Sequence, residues 1–74
     1  MHDDTHHTDA AGQAETRADA ARGRALAARD AAEHATTEYA RRAQERVADI
    51  HSALALSHDD HARALRRLAD RGEP

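Results

Sequence analysis

The chain has no cysteine, tryptophan, phenylalanine or lysine, and its only aromatic residue apart from histidine is Tyr39. Without cysteine there is no disulfide framework, no thiolate zinc site and no cysteine nucleophile. Without tryptophan or phenylalanine there is no aromatic platform on which bases could stack. Glycine occurs three times and never in a phosphate-cradling run. All 11 basic residues are arginine, a bias that high genomic GC content writes, so the missing lysine carries no functional reading. The net charge of −3 has acids and bases interspersed, which argues against a specific nucleic-acid binder. No apolar run approaches transmembrane length, and the acidic N-terminus has no signal-peptide core, so no membrane partner and a cytoplasmic location are expected.

Large apolar residues are scarce. Of the residues counted as hydrophobic, 20 are alanine, leaving Met1, Leu26, Tyr39, Val47, Ile50, Leu54, Leu56, Leu65 and Leu68. At 74 residues the chain has room for one small domain, and this set is too thin for a self-sufficient globular core. Association or partial disorder is therefore expected.

What is present is helical patterning. Val47, Ile50 and Leu54 fall at i, i+3 and i+7, and Ala43 and Tyr39 extend the stripe backwards in steps of four. Arg41, Arg42, Glu45, Arg46 and Asp49 occupy the other faces of that stretch. Upstream, alanines recur at 11, 14, 18, 21, 25, 28, 32 and 35 in alternating steps of three and four, a heptad-like pattern. Gly12 and Gly23 weaken that half by about 1 kcal/mol each relative to alanine, and Leu26 is its only large anchor. Thr36-Thr37 is a soft spot where β-branched residues interrupt the alanines.

Residues 1–9 read as a disordered acidic, histidine-bearing tail, with Thr8 or Asp9 available to cap a following helix. Ser57-His58-Asp59-Asp60 reads as punctuation, with Ser57 as an N-cap and the two aspartates in the first turn of a second helix. The expected organisation is an all-α chain with a helical region over 10–71 and a short tail over 72–74. A long amphipathic helix over about 10–55 is followed by a short one over about 58–71, as a helical hairpin or a near-continuous coiled coil. In the bent form Leu65 and Leu68 would fold back over Val47, Ile50 and Leu54. An uninterrupted helix is the competing reading, because positions 47, 50, 54, 57, 61, 64 and 68 stay in heptad register.

Seven histidines are the enriched reactive groups. His58 and His61, three apart, are the candidate metal pair, but two exposed imidazoles make no complete site, and no H-E-x-x-H pattern is present. No metal and no cofactor are expected. His51, His58 and His61 lie close to the apolar stripe on a continuous helix, where packing would oppose their protonation; in the bent form Asp59 and Asp60 would favour protonation of His58 and His61. No nucleophile–base pair and no hydrophobic pocket mark the chain as an enzyme.

The stretch ARDAAEHATTEYARRAQERVADIHSALALSHDDHARAL resembles short Ala/Arg/His-rich helical proteins of actinobacteria. The resemblance covers roughly residues 28–70 and implies a host type and an all-α fold, with no activity. The chain departs from that group in lacking a regular histidine repeat. The alanine-rich first half is also similar to desiccation-related helical proteins, without their lysines or eleven-residue repeat.

These readings converge on a non-enzymatic helical interaction or oligomerisation module. Its seam would be Leu26, Tyr39, Ala43, Val47, Ile50, Leu54, Leu65 and Leu68, and its partner a second copy or another helix. The alternatives are a conditionally disordered chain that folds on binding or drying, and a histidine-based metal or pH-responsive binder.

Overall fold

A computed structural model describes the backbone of residues 4–72 and the side chains from Thr8 onward. Two helices make up the described chain: α1 over Asp4–Glu33 and α2 over Glu38–Gly72. They lie against each other as a hairpin measuring 58 × 12 × 11 Å. The all-α hairpin expected from the sequence is the observed fold.

The seam of the hairpin is built of alanine. On α1 the buried residues are Ala11, Ala14, Ala18, Ala21, Ala25, Ala28 and Ala32, seven of the eight alanines of the heptad-like pattern; the eighth, Ala35, falls in the turn. On α2 they are Ala48, Ala55, Ala62 and Ala69, one per heptad. Alternating with those four, Gln44, His51, His58 and Leu65 are half-buried and complete the same face of α2. A seam repeating every 3.5 residues keeps two helices in contact along their whole length. Each buried methyl contributes only about 0.8 kcal/mol, so length replaces bulk as the source of cohesion.

The alignment of the helices is fixed along one border of the seam. Arg22 donates to Asp59 Oδ2 at 2.8 Å and Arg29 donates to Ser52 Oγ at 2.9 Å. Arg66 donates to Glu15 on the same border. The α1 residues advance in steps of seven while their α2 partners retreat in steps of seven, which is what antiparallel heptad packing requires. In that register Ala14, Ala21 and Ala28 lie at the levels of Leu65, His58 and His51, so the larger α2 residues sit over small α1 ones.

The helix boundaries differ from the sequence reading: the expected long helix over about 10–55 is divided at residues 34–37, and the expected short helix over about 58–71 is part of one helix that runs to Gly72. α1 begins at Asp4, ahead of the expected start at Thr8 or Asp9. Residues 1–3 and 73–74, parts of the two expected tails, lie outside the described residues. The chain reverses over residues 34–37, at the Thr36-Thr37 soft spot, and α2 runs without interruption through Ser57. Thr37 supplies the cap: the Ala40 amide donates to its Oγ1 at 3.1 Å, while the Arg41 amide donates to its carbonyl at 3.0 Å. Ser57 therefore lies mid-helix and caps nothing. The physical reason is tertiary. The weak helix formers of Ser57–His61 are outweighed by a heptad of seam alanines that passes through them, from Ala48 to Ala69.

The turn has its own support. The His34 amide donates to the Asp30 carbonyl at 3.2 Å, and His34 Nδ1 lies 2.8 Å from the same oxygen. At the start of α2, Glu38 is bracketed by Arg41 and by Arg42, whose Nε donates to it at 2.9 Å. Gly12 and Gly23 have room for a Cβ, which would meet nothing within 4 Å beyond the backbone of its own helix turn.

Candidate interaction surface

Filling the seam with alanine leaves the large apolar side chains of α2 outside it. Val47 is 39% exposed, Ile50 59%, Leu54 44% and Leu68 47%. At about 100° per residue, these four share a stripe roughly a quarter-turn around α2 from the buried alanines. Ala43, Ser57, His61 and Ala64 fill the intervening heptad positions. α2 thus has two apolar faces side by side: a narrow one of alanine that closes the hairpin and a bulkier one turned to solvent.

The eight residues expected to form one seam divide accordingly. Val47, Ile50, Leu54, Leu68 and Ala43 are brought together on the exposed stripe. Leu65 stands at its edge, half-buried toward α1. Tyr39 lies at the beginning of α2, exposed, beside the stripe. Leu26 is on α1, exposed on a different side of the hairpin, with Leu56 on the same outer side of α2. Leu65 and Leu68 do not fold back over Val47, Ile50 and Leu54, because all five ride one continuous helix. The inner alanines of α2 are the residues that sequence reasoning missed. Their spacing of seven was visible, but four small residues give a weaker signal than the larger ones beside them.

The histidines separate by face. His51 and His58 are half-buried along the α1 side of α2, whereas His61 is exposed on the stripe. His51 Nδ1 is buried without a hydrogen-bond partner among the described residues. His58 and His61 therefore point into different surroundings. Among the described residues no group of three or more His, Asp or Glu side chains is placed to hold a metal ion.

Charge borders both faces. Arg41 bonds Glu38 and lies 3.3 Å from Glu45, and Arg63 donates to Asp60 at 2.9 Å. The paired arginines hold the Glu38 carboxyl below the usual carboxylate range, Arg41 contributing most. Hydrogen bonding to the Asp30 carbonyl, aided by the Asp30 charge, raises the His34 imidazole above its ordinary value. Among the described residues no helix is long and apolar enough to cross a membrane. No protein-family model, no curated protein and no solved structure matches the chain.

Proposed function

We propose that this chain is a non-enzymatic helical interaction and oligomerisation module that works in the cytoplasm. Its working surface is the Val47–Ile50–Leu54–Leu68 stripe of α2. The observation that carries this reading is the exposure of those side chains on a hairpin whose own seam is already filled. A helix that needed only to close the hairpin would present alanine inward and polar residues elsewhere. α2 instead carries a second line spanning three heptads, apolar at Val47, Ile50, Leu54, Ala64 and Leu68 and interrupted at Ser57 and His61, the pattern of a helix with two neighbours. Covering each large side chain contributes about 1.5–3 kcal/mol relative to full exposure, more than an alanine of the inner seam.

A second reading is favoured by the composition of that seam. Because the fully buried residues among those described are all alanine, the isolated hairpin is marginal, and its helicity depends on the surface being covered. Folding and association are then coupled.

Sedimentation equilibrium of the natural chain and of Ile50→Asp tests the proposal. The natural chain should show mass above the monomer, alone or with a partner helix, and the aspartate should return it to monomer. Equal association of the two proteins would remove the stripe from consideration.

A further inference from the structure

We infer that the exposed stripe of α2 is covered by the same stripe of a second copy, running antiparallel about a twofold axis at Ala53. This rests on the interaction-module reading above and specifies its partner. The border of the stripe facing away from α1 repeats every seven residues as Tyr39, Arg46, Ala53, Asp60 and Arg67, all exposed. In an antiparallel pair of identical helices this border meets itself, and each residue ahead of the axis faces one equally far beyond it. With the axis at Ala53, Arg46 faces the partner's Asp60, and Asp60 faces the partner's Arg46. Tyr39 faces the partner's Arg67, a geometry suited to a guanidinium over a phenol ring.

No neighbouring register does this. Sliding the partner by one heptad sets Arg46 against Arg67 in one direction, and in the other leaves it opposite Ala53. A further slide brings Asp60 onto Asp60, or Arg46 onto Arg46. Parallel pairing would direct this border at Gln44, His51, His58 and Leu65, which are turned toward α1. The register chosen by charge also sets Leu54 beside the partner's Ile50 twice, next to the axis, while Leu68 falls just beyond the overlap. The overlap from Tyr39 to Arg67 spans about four heptads, roughly 43 Å at 1.5 Å per residue.

The charged groups are available. Arg46 makes no ion pair among the described residues. Asp60 receives Arg63 at 2.9 Å on Oδ1, with 77% of its side chain accessible, which leaves Oδ2 for an incoming guanidinium. The adjoining outer face of α1 carries Arg17 and Arg24, both exposed. It does not extend the apolar stripe, so α2 dominates the contact.

A charge swap tests the register, with circular dichroism confirming that each variant remains helical. Arg46→Asp and Asp60→Arg each replace two attractive pairs by two repulsive ones and should weaken dimerisation about tenfold. The double variant restores opposite charges and should return to within about twofold of the natural chain. Spin labels on Ala53→Cys should approach closely across the dimer, whereas labels on Arg67→Cys should lie about 40 Å apart. Labels that approach equally at both positions would overturn the antiparallel pairing. If Ile50→Asp abolishes association while neither single reversal changes it, the stripe is used but this register is wrong. If Ile50→Asp leaves association intact, the underlying reading fails as well. A natural chain that stays monomeric at every concentration overturns the second copy as occupant.

Discussion

Arg22 of α1 donates to Asp59 of α2 at 2.8 Å while the other guanidinium nitrogen is held by Asp19 on its own helix. Through Asp19 first and Asp59 second, these bonds favour the charged arginine. The bridge lies between the Arg29–Ser52 and Arg66–Glu15 contacts on one border of the seam. Alanines alone cannot set a register, because one methyl packs on another equally well a heptad away. The polar border supplies that choice. Asp59→Ala should lower the thermal midpoint, and the difference should shrink as salt is raised from millimolar to about 1 M, where the screening length falls to about 3 Å. A deficit independent of salt would mean that Asp59 acts through packing.

Seam alanines and outward alanines should respond in opposite ways to added bulk. Ala25 is 1% exposed, whereas Ala27 is on the surface of the same helix turn. Ala25→Leu should destabilise the hairpin by about 1–3 kcal/mol by forcing the helices apart. Ala27→Leu should change stability by less than about 0.5 kcal/mol. Denaturant melts of the two variants decide it.

The capping groups make a second matched pair. Thr37→Ala removes the Oγ1 acceptor of the Ala40 amide and should cost about 1 kcal/mol. Ser57→Ala, in mid-helix, should be neutral or slightly stabilising, since alanine is the better helix former. A larger loss at Ser57 than at Thr37 would place the break at Ser57, against the continuous α2.

That contrast shows what the sequence made legible. The alanine ladder of α1 was visible as a heptad-like spacing, but the expected seam was drawn through the larger residues and left these alanines out. The all-α hairpin and the helical periodicity of Val47, Ile50 and Leu54 were also legible. The position of the turn was not. Local propensity marks both Thr36-Thr37 and Ser57–Asp60 as weak, and only the match between Ala11–Ala32 and Ala48–Ala69 decides between them. Nor could spacing alone say which apolar line of α2 closes the hairpin, because the two lines share one heptad and differ only in side-chain size. Packing decides it: small residues allow the long, close contact, and the large ones are left for a neighbour.

The turn should give stability a shallow maximum in weak acid. The His34 imidazole is raised above its ordinary 6.5, so its contribution is complete below that value and is lost as pH rises through the raised one. Glu38 is lowered from 4.5, so its contribution is complete above that value and is lost as pH falls through the lowered one. Both act fully between 4.5 and 6.5. Thermal midpoints measured across pH should fall on either side of this window. His34→Ala should flatten the alkaline arm and Glu38→Gln the acid arm. Both groups are exposed, so the effects should be small and weakened by salt.

The most direct measurement is the thermal midpoint, followed by circular dichroism, over a roughly hundredfold range of protein concentration. If a second copy covers the stripe of α2, the midpoint rises with concentration, and Ile50→Asp removes the rise. A cooperative melt at one temperature throughout, with the mass of a single chain, would contradict the account: the stripe would then be bare and the hairpin self-sufficient.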